Sequence, residues 1–456
     1  MAGIGFSLRK LLNHDSLVGT SAAYTVAGII SGGPWLISIL SIVLLSILVS
    51  VIPEYHVFIT QFQISITYLV AGSLIISGLA GNSFSRFAAD QLFSNRSIDI
   101  MSNLNGLILV MSIVSGLLSF VFVDVFFPDQ STTYRLLLVS GFVVLSNLWV
   151  VIALLTGLKD YTIILKAFFT SYAIIVGLAY GLRPFGLEGF LFGFVVGQLL
   201  LLLVLMFALY QEYPTNTVIS FHFLTCLKPY QTIIITGFVF SLAVWVDKFL
   251  FWMNPSTSYD VIGPLRASYI YDLPIFLAYL CSLPGMAVFL LLIETNFADY
   301  YAEFHEAIRH GKSLEFIRKS GEKMIADAFH VIYAIAKIQA ITIIIVFQFG
   351  EKVMTMWHIP LLYSHLFFVV LIGASLQVIL LGIVSILFHM DRSQYVLRIS
   401  SLFFLLNTLL TILSMYLGPF YYGFGFTIAL LTACAYGMYL LSTELTDLEY
   451  KVIMLR

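Results

Sequence analysis

Residues 186–210 read GLEGFLFGFVVGQLLLLLVLMFALY, a run whose single charged side chain is Glu188, near its start. At about 1.5 Å of rise per residue, a helix of this length clears a hydrocarbon core of about 30 Å. A β-barrel span would be roughly ten residues long and strictly alternating, so the run predicts a transmembrane helix.

The same pattern recurs on both sides of this stretch. Apolar runs at 21–52, 57–81, 104–127, 134–157 and 161–182 precede it, and runs at 231–253, 267–293, 327–349, 361–387, 395–417 and 423–443 follow it. With 186–210 they make about twelve expected spans, six on either side of a polar stretch at 211–230. The composition agrees, being 60% hydrophobic and 10% charged with a mean hydropathy of +1.00, against about 25% charged in ordinary globular chains. The expected fold class is an all-α membrane protein. The expected domain organisation is a cytoplasmic amphipathic N-terminus (1–20), a six-helix bundle (21–210), a cytoplasmic linker (211–230), a second six-helix bundle (231–443) and a cytoplasmic tail (444–456). Two halves with matching loop lengths suggest a duplicated transporter architecture.

Lysine and arginine set the expected orientation, because loops rich in them stay cytoplasmic. Of the 22 such residues, sixteen fall on one side of the predicted spans. Arg135, Arg183, Arg266 and Lys352 fall on the other, and Lys248 and Lys337 lie within spans. Both termini and the 294–326 connection are therefore expected in the cytoplasm. That connection carries Phe304, Ile308 and Leu314 at roughly helical spacing. It is expected to form an amphipathic cytoplasmic helix, either a solvated connector between two spans or a docking surface for a cytoplasmic partner. The first twenty residues lack a small-residue cleavage site, so the first span is expected to be retained.

Several function classes have no seat in the sequence. A net charge of −2 argues against nucleic-acid binding, which calls for a basic patch or stripe. There is no Walker loop, HExxH pair or GxSxG elbow, so neither ATP hydrolysis nor hydrolytic catalysis is expected. Cys226, Cys281 and Cys434 lie far apart without ligand spacing and read as apolar filler. No cofactor or metal is expected.

Ionisable residues within the spans are the informative ones, since each costs a few kcal/mol unless it faces a cavity or a partner. Asp247 and Lys248 lie in Trp245-Val-Asp-Lys-Phe-Leu-Phe-Trp252, about 9 Å below the outer end of the seventh span. Neighbouring helical residues point about 100° apart, so each of the two is expected to need its own partner. Trp245, Lys248 and Trp252 share a helix face, which places a cation between two indoles and suits stacking on sugar rings. An interfacial tryptophan belt with a snorkelling lysine is the competing reading. The eighth span begins near Arg266, carries Asp272 and Tyr279, and contains Pro274 and Pro284. It is expected to be kinked and cavity-lining, with Arg266 and Asp272 joining Asp247 and Lys248 in a four-member polar gate.

The ninth span shows His330, Tyr333 and Lys337 as a polar stripe; a lysine simply paired with a backbone carbonyl is the alternative. Arg86 and Asp90 can pair at i, i+4 on the cytoplasmic side. Ser31-Gly-Gly-Pro-Trp35 breaks the first span, either as a substrate site that includes Trp35 or as small-residue packing.

The strings at 2–12 (AGIGFSLRKLL), 31–35 (SGGPW), 245–249 (WVDKF), 274–279 (PIFLAY), 284–290 (PGMAVFL) and 294–297 (ETNF) together resemble the PelG family. This family is the inner-membrane transport subunit of the bacterial Pel exopolysaccharide system of biofilms. The resemblance covers essentially the whole chain. Ser7, where an acidic residue is expected, and the turn after Tyr450 depart from it. The resemblance implies a fold similar to the multidrug/oligosaccharidyl-lipid/polysaccharide (MOP) exporter superfamily, with two six-helix bundles around a central cleft. It implies a nascent polymer of N-acetylated hexosamines as substrate. The implied partners are a cytoplasmic glycosyltransferase, a cyclic-di-GMP-sensing membrane protein, a small repeat-containing membrane protein and the lipid bilayer. On this reading Trp35, Trp245, Asp247, Lys248, Trp252, Arg266, Asp272, Tyr279, Tyr333 and Lys337 line the substrate path. Arg86, Asp90 and Glu294 form a cytoplasmic gate or partner contact.

Three rival readings stand beside polymer translocation. An ion-driven small-molecule exporter needs a titratable carboxylate in the membrane, and cations near Asp247 and Asp272 would keep both ionised. A lipid-linked oligosaccharide flippase would favour inward arginines to hold a pyrophosphate. A membrane scaffold for the synthase is the third.

Overall fold

The computed structural model describes residues 37–49, 53–94, 98–155, 161–356 and 360–447. Within them, ten helices are long and apolar enough to cross a membrane. A bent pair, Tyr269–Cys281 with Leu283–Arg309, makes an eleventh candidate, and a shorter apolar helix, Ile37–Val49, lies in the first expected span. The break at 31–35 with Trp35, the segment 1–20 and the end of the tail lie outside the described residues.

The chain forms two compact units. Among the described residues, one runs through Trp245 and adds Phe251–Ser268; the other takes Val246–Leu250 and everything from Tyr269 onward.

The first unit contains α1 (Ile37–Val49), α2 (His56–Ser77), α3 (Gly81–Phe93), α4 (Ile98–Phe126), α5 (Thr132–Leu155), α6 (Tyr161–Gly181), α7 (Gly186–Glu212) and most of α8 (Gln231–Met253). Helix α7 packs against α2, α5 and α6. Its Phe190 and Phe194 meet Phe62 of α2 at ring-centroid distances of 5.7 and 6.3 Å. Such interlocked rings supply van der Waals cohesion where lipid tails remove any hydrophobic preference between helices. The long polar connection after α2 is not a loop: it holds α3, a 13-residue helix whose Phe84, Phe87 and Ala88 are buried. Three apolar residues at helical spacing form the inner stripe, while Arg86 and Asp90 stay partly exposed.

A two-stranded antiparallel hairpin, β1 (Tyr259–Ile262) and β2 (Leu265–Ala267), closes the connection after α8, pairing Tyr259 with Ala267 and Asp260 with Arg266. Gly263 turns it at φ +51°, a conformation L side chains rarely adopt.

The second unit contains α9 (Tyr269–Cys281), α10 (Leu283–Leu292), α11 (Ala298–Arg309), α12 (Leu314–Met356), α13 (Ser364–His389), α14 (Ser393–Leu417) and α15 (Phe424–Thr446). The expected kink in the eighth span is present, with the α9 and α10–α11 segments meeting at 41°. It falls at Ser282, ahead of Pro284 in the first turn of α10, whereas Pro274 lies inside a continuous α9. A π-helical turn at Ile293–Phe297 leads into α11. Helix α12 has 43 residues and begins inside the polar 294–326 connection, which is thus largely helical. Phe304 is buried there, against Gly321 of α12, whereas Leu314 is 64% exposed and lies off the buried face.

One backbone contact fixes the first unit closely. A Cβ added at Gly237 of α8 would lie 2.2 Å from the carbonyl oxygen of Gly78, and one added at Gly78 would lie 2.6 Å from the carbonyl oxygen of Gly237. Neither backbone can yield as a side-chain tip would. Gly237→Leu is therefore expected to destabilise the protein by about 1–3 kcal/mol or more, as overpacking does. Thermal unfolding of the purified protein in detergent measures this, and an unchanged midpoint would contradict the close crossing.

Candidate functional site

Asp247 and Lys248 come to lie inside the second unit, 0% and 5% exposed. The Lys248 Nζ sits 3.2 Å from both carboxylate oxygens of Asp247. The expectation that the two could not neutralise each other is therefore corrected. Their Cβ atoms do point apart, but the four-carbon lysine stem is long and flexible enough to fold back over its neighbour.

The pair is embedded in polar groups drawn from several helices. Tyr271 of α9 donates from its hydroxyl to Asp247 Oδ2 at 2.6 Å, and Asn407 of α14 approaches Oδ1 at 3.5 Å. Thr411, one turn further along α14, donates to the Asn407 side-chain oxygen at 3.2 Å. On the lysine side, Nζ lies 3.5 Å from the Tyr279 hydroxyl, which itself donates to Gln377 Oε1 of α13 at 2.9 Å. The ammonium also stands over the rings of Phe426 and Tyr279, 5.1 and 5.4 Å from their centroids. This is what a charge pair needs in a low dielectric: mutual neutralisation, with hydrogen bonds taken up by the remaining lone pairs and protons.

Of the four expected gate residues, Asp247, Lys248 and Asp272 belong to the second unit and Arg266 to the first. Arg266 lies on the hairpin of the first unit, paired with Asp260, with its Nε donating to Ser258 Oγ at 2.8 Å. Its backbone carbonyl accepts from Tyr68. Asp272 is half-buried at the start of α9.

The two indoles meet each other. Trp245 and Trp252 have centroids 6.3 Å apart at 49°, too close to hold an ammonium between their faces. Trp252 is 3% exposed and packs on Tyr68 at 4.5 Å, so it offers no open face to a sugar. Tyr333 is 66% exposed and His330 and Lys337 are exposed too, so the predicted stripe lies on an exposed face of α12. Arg86 and Asp90 do pair, at 3.4 Å, and Asp90 also accepts from Tyr230. Glu294 is half-buried in the π-helical turn.

Sequence reasoning missed Gln339. It is 1% exposed on α12 and donates at 2.8 Å to the Ser282 carbonyl at the bend, which also accepts from the Met286 N–H. Its oxygen accepts from Ser375 of α13 at 3.1 Å. A Cβ on Gly285 would stand 2.0 Å from the Gln339 amide nitrogen, so glycine is what admits this brace. Gln339, Gln377 and Asn407 share one signal that was available: each is a lone amide inside an apolar run.

Solved structures of similar architecture define the class. An outward-facing multidrug resistance MATE family transporter of the MOP superfamily matches with a TM-score of 0.61 at 13% identity, covering 99% of this chain and 100% of that one. A variant of the Vibrio cholerae MATE transporter VcmN matches at 0.61 and 13%, covering 93% and 98%. A MOP superfamily transporter from Pyrococcus furiosus matches at 0.59 and 12%, covering 93% and 95%. The fold is that of a MATE-like transporter, and the chain is a multi-pass membrane protein. Residues 1–453 match the model of the PelG family, described as "Putative exopolysaccharide Exporter (EPS-E)"; the chain belongs to this family. No curated protein sequence matches it.

Removing only the lysine isolates the value of the pair. Lys248→Met leaves a buried carboxylate without its cation and is expected to cost about 3–5 kcal/mol. Asp247→Asn with Lys248→Met keeps the Tyr271 contact without a net buried charge and should cost clearly less. Thermal unfolding of wild type, both single variants and the double variant in one detergent gives the comparison. A double-variant loss equal to the sum of the two single losses would show that the pair is not coupled.

Proposed function

We propose that this protein carries a nascent N-acetylhexosamine exopolysaccharide of the Pel type across the bacterial inner membrane, driven by the cytoplasmic glycosyltransferase that lengthens it. It is a conduit and not an enzyme. Membership of the exopolysaccharide-exporter family over residues 1–453 carries the reading. The asymmetry of lysine and arginine supports cytoplasmic termini and a cytoplasmic 294–326 connection. That side would meet the glycosyltransferase, the cyclic-di-GMP-sensing protein and the small repeat-containing protein, with Arg86, Asp90 and Glu294 as candidate contacts.

The buried pair bears on the energy source. Asp247 is enclosed by Lys248 and Tyr271 within the second unit, an arrangement complete without a coupling ion. A polymer of acetylated hexosamines is uncharged, so membrane potential does little work on it, and synthesis at the cytoplasmic end can push it outward. One observation favours the ion-driven rival: Asp327 on α12 is 8% exposed and its Oδ2 has no hydrogen-bond partner among the described residues. The flippase reading gains less, because Arg266 and Arg392 are engaged by Asp260 and Glu444.

Two measurements test this function. Sealed vesicles containing this protein and its synthase should accumulate polymer inside the compartment opposite the synthase when supplied with nucleotide sugar, and should continue after an uncoupler collapses the proton gradient. If the uncoupler stops translocation while chain synthesis proceeds, the ion-driven reading moves ahead with Asp327 as its first carboxylate. For topology, a cysteine introduced by Lys312→Cys should react with a membrane-impermeant reagent only from the cytoplasmic side. Labelling from outside alone would invert the orientation.

A further inference from the structure

The first unit carries a cavity of about 700 Å³ where four connections converge: the start of α2, the 127–131 turn, the 182–188 turn into α7, and the hairpin. None of these elements belongs to the Asp247–Lys248 cluster. Its size falls within the range of about 300–1,000 Å³ usual for small-ligand sites.

The lining has a definite chemistry. Phe185 is 70% exposed and Phe58 37% exposed, so two aromatic faces are offered to the cavity and its mouth. Glu188 accepts from Ser131 through one carboxylate oxygen, and its second oxygen has no protein partner among the described residues. The Gln130 carboxamide also lines the cavity and makes no side-chain hydrogen bond to a described residue. The Tyr55 hydroxyl likewise makes no hydrogen bond to a described residue, whereas the other polar side chains of the lining are committed. Gln61 donates to the Val261 carbonyl at 3.3 Å, and the Tyr134 hydroxyl bonds Ser65 at 2.9 Å, which hold the wall in place.

Among the described residues no lysine, arginine or histidine lines this space. The nearby cations are engaged elsewhere: Arg135 with Asp124, and Arg183 over the Tyr180 ring. A phosphate would therefore meet a carboxylate and no counter-charge. Open aromatic faces beside an uncommitted carboxylate oxygen and an uncommitted amide instead suit a ring with one apolar face and a rim of hydroxyl and N–H donors. That describes a hexosamine.

We propose that this cavity is a saccharide-binding subsite, in which Phe185 and Phe58 stack on sugar faces while Glu188 and Gln130 accept from and donate to the rim. On the orientation argued above the four connections lie on the non-cytoplasmic side, so the subsite receives polymer as it leaves. The inference rests on the exporter reading and adds a place where the emerging chain is held.

The test is calorimetric titration of the purified full-length protein with tetrasaccharides of N-acetylglucosamine and of N-acetylgalactosamine. At least one should bind, with affinity at least tenfold weaker in Phe185→Ala and in Gln130→Ala, and restored in Phe185→Trp. Unfolding midpoints matching wild type show that the partly exposed substitutions leave the fold intact. Wild-type affinity in both alanine variants, or absence of saccharide binding, overturns the subsite, as does tighter binding of glycerophosphoethanolamine, which would identify a lipid headgroup site. Failure of the exporter reading appears separately, as absence of polymer in the vesicles. Tetrasaccharide binding with the stated variant pattern supports the subsite in either case.

Discussion

Inside a bilayer a polar group that leaves its regular partner must find another within the protein, since hydrocarbon offers none. Two places in the second unit answer this requirement. At the bend between α9 and α10 the buried Gln339 amide, which has no regular partner on its own helix, donates to the Ser282 carbonyl alongside the helical Met286 N–H, in a gap that Gly285 leaves open. Deeper in the same unit, Asp247 and Lys248 could not be buried singly, and they are buried as a pair wrapped by Tyr271, Tyr279, Gln377 and Asn407. Each arrangement draws on several helices, so each also fixes how those helices are arranged around it.

These two devices differ in what they permit. The amide brace is neutral and local, and it holds a bend without placing charge in the membrane. The ion pair is more demanding, because loss of either member leaves the other uncompensated in low dielectric. A site that binds and releases a coupling ion must tolerate that change repeatedly. A site that stabilises one unit of a conduit need not, and the completeness of the network around Asp247 fits the second role better.

The apolar runs were legible because a span must be long and continuous, and periodicity and length report that directly. The polar connections were legible in part: helical spacing at 294–326 predicts helix there, and the i, i+4 spacing of Arg86 and Asp90 falls on α3, whose 13 residues are too short and too polar to count as a span. The hairpin was missed because its strands have four and three residues and derive their register from Gly263 and the Asp260–Arg266 pair. Within the site, the existence of a buried charge pair at Asp247 and Lys248 could be read, but its partners could not. Spacing says which way a Cβ points; it does not say how far a lysine can fold back, or that Tyr271 would reach the carboxylate.

The cavity of the first unit illustrates the same limit from the other direction. Phe58, Gln130, Phe185 and Glu188 come from three separate connections, and none of them forms a motif in sequence. Each alone reads as a loop residue or a span end. Only the tertiary arrangement sets aromatic faces beside an open carboxylate oxygen and an open amide while the neighbouring arginines are held by Asp124 and Tyr180. Weak, hydrated contacts of this kind suit a moving polymer better than a tight site would, because a conduit that binds its cargo strongly at one point slows every step that follows. The sealed ion pair and the open aromatic cavity therefore serve opposite needs, one holding a bundle together where water is absent and the other meeting cargo where water returns.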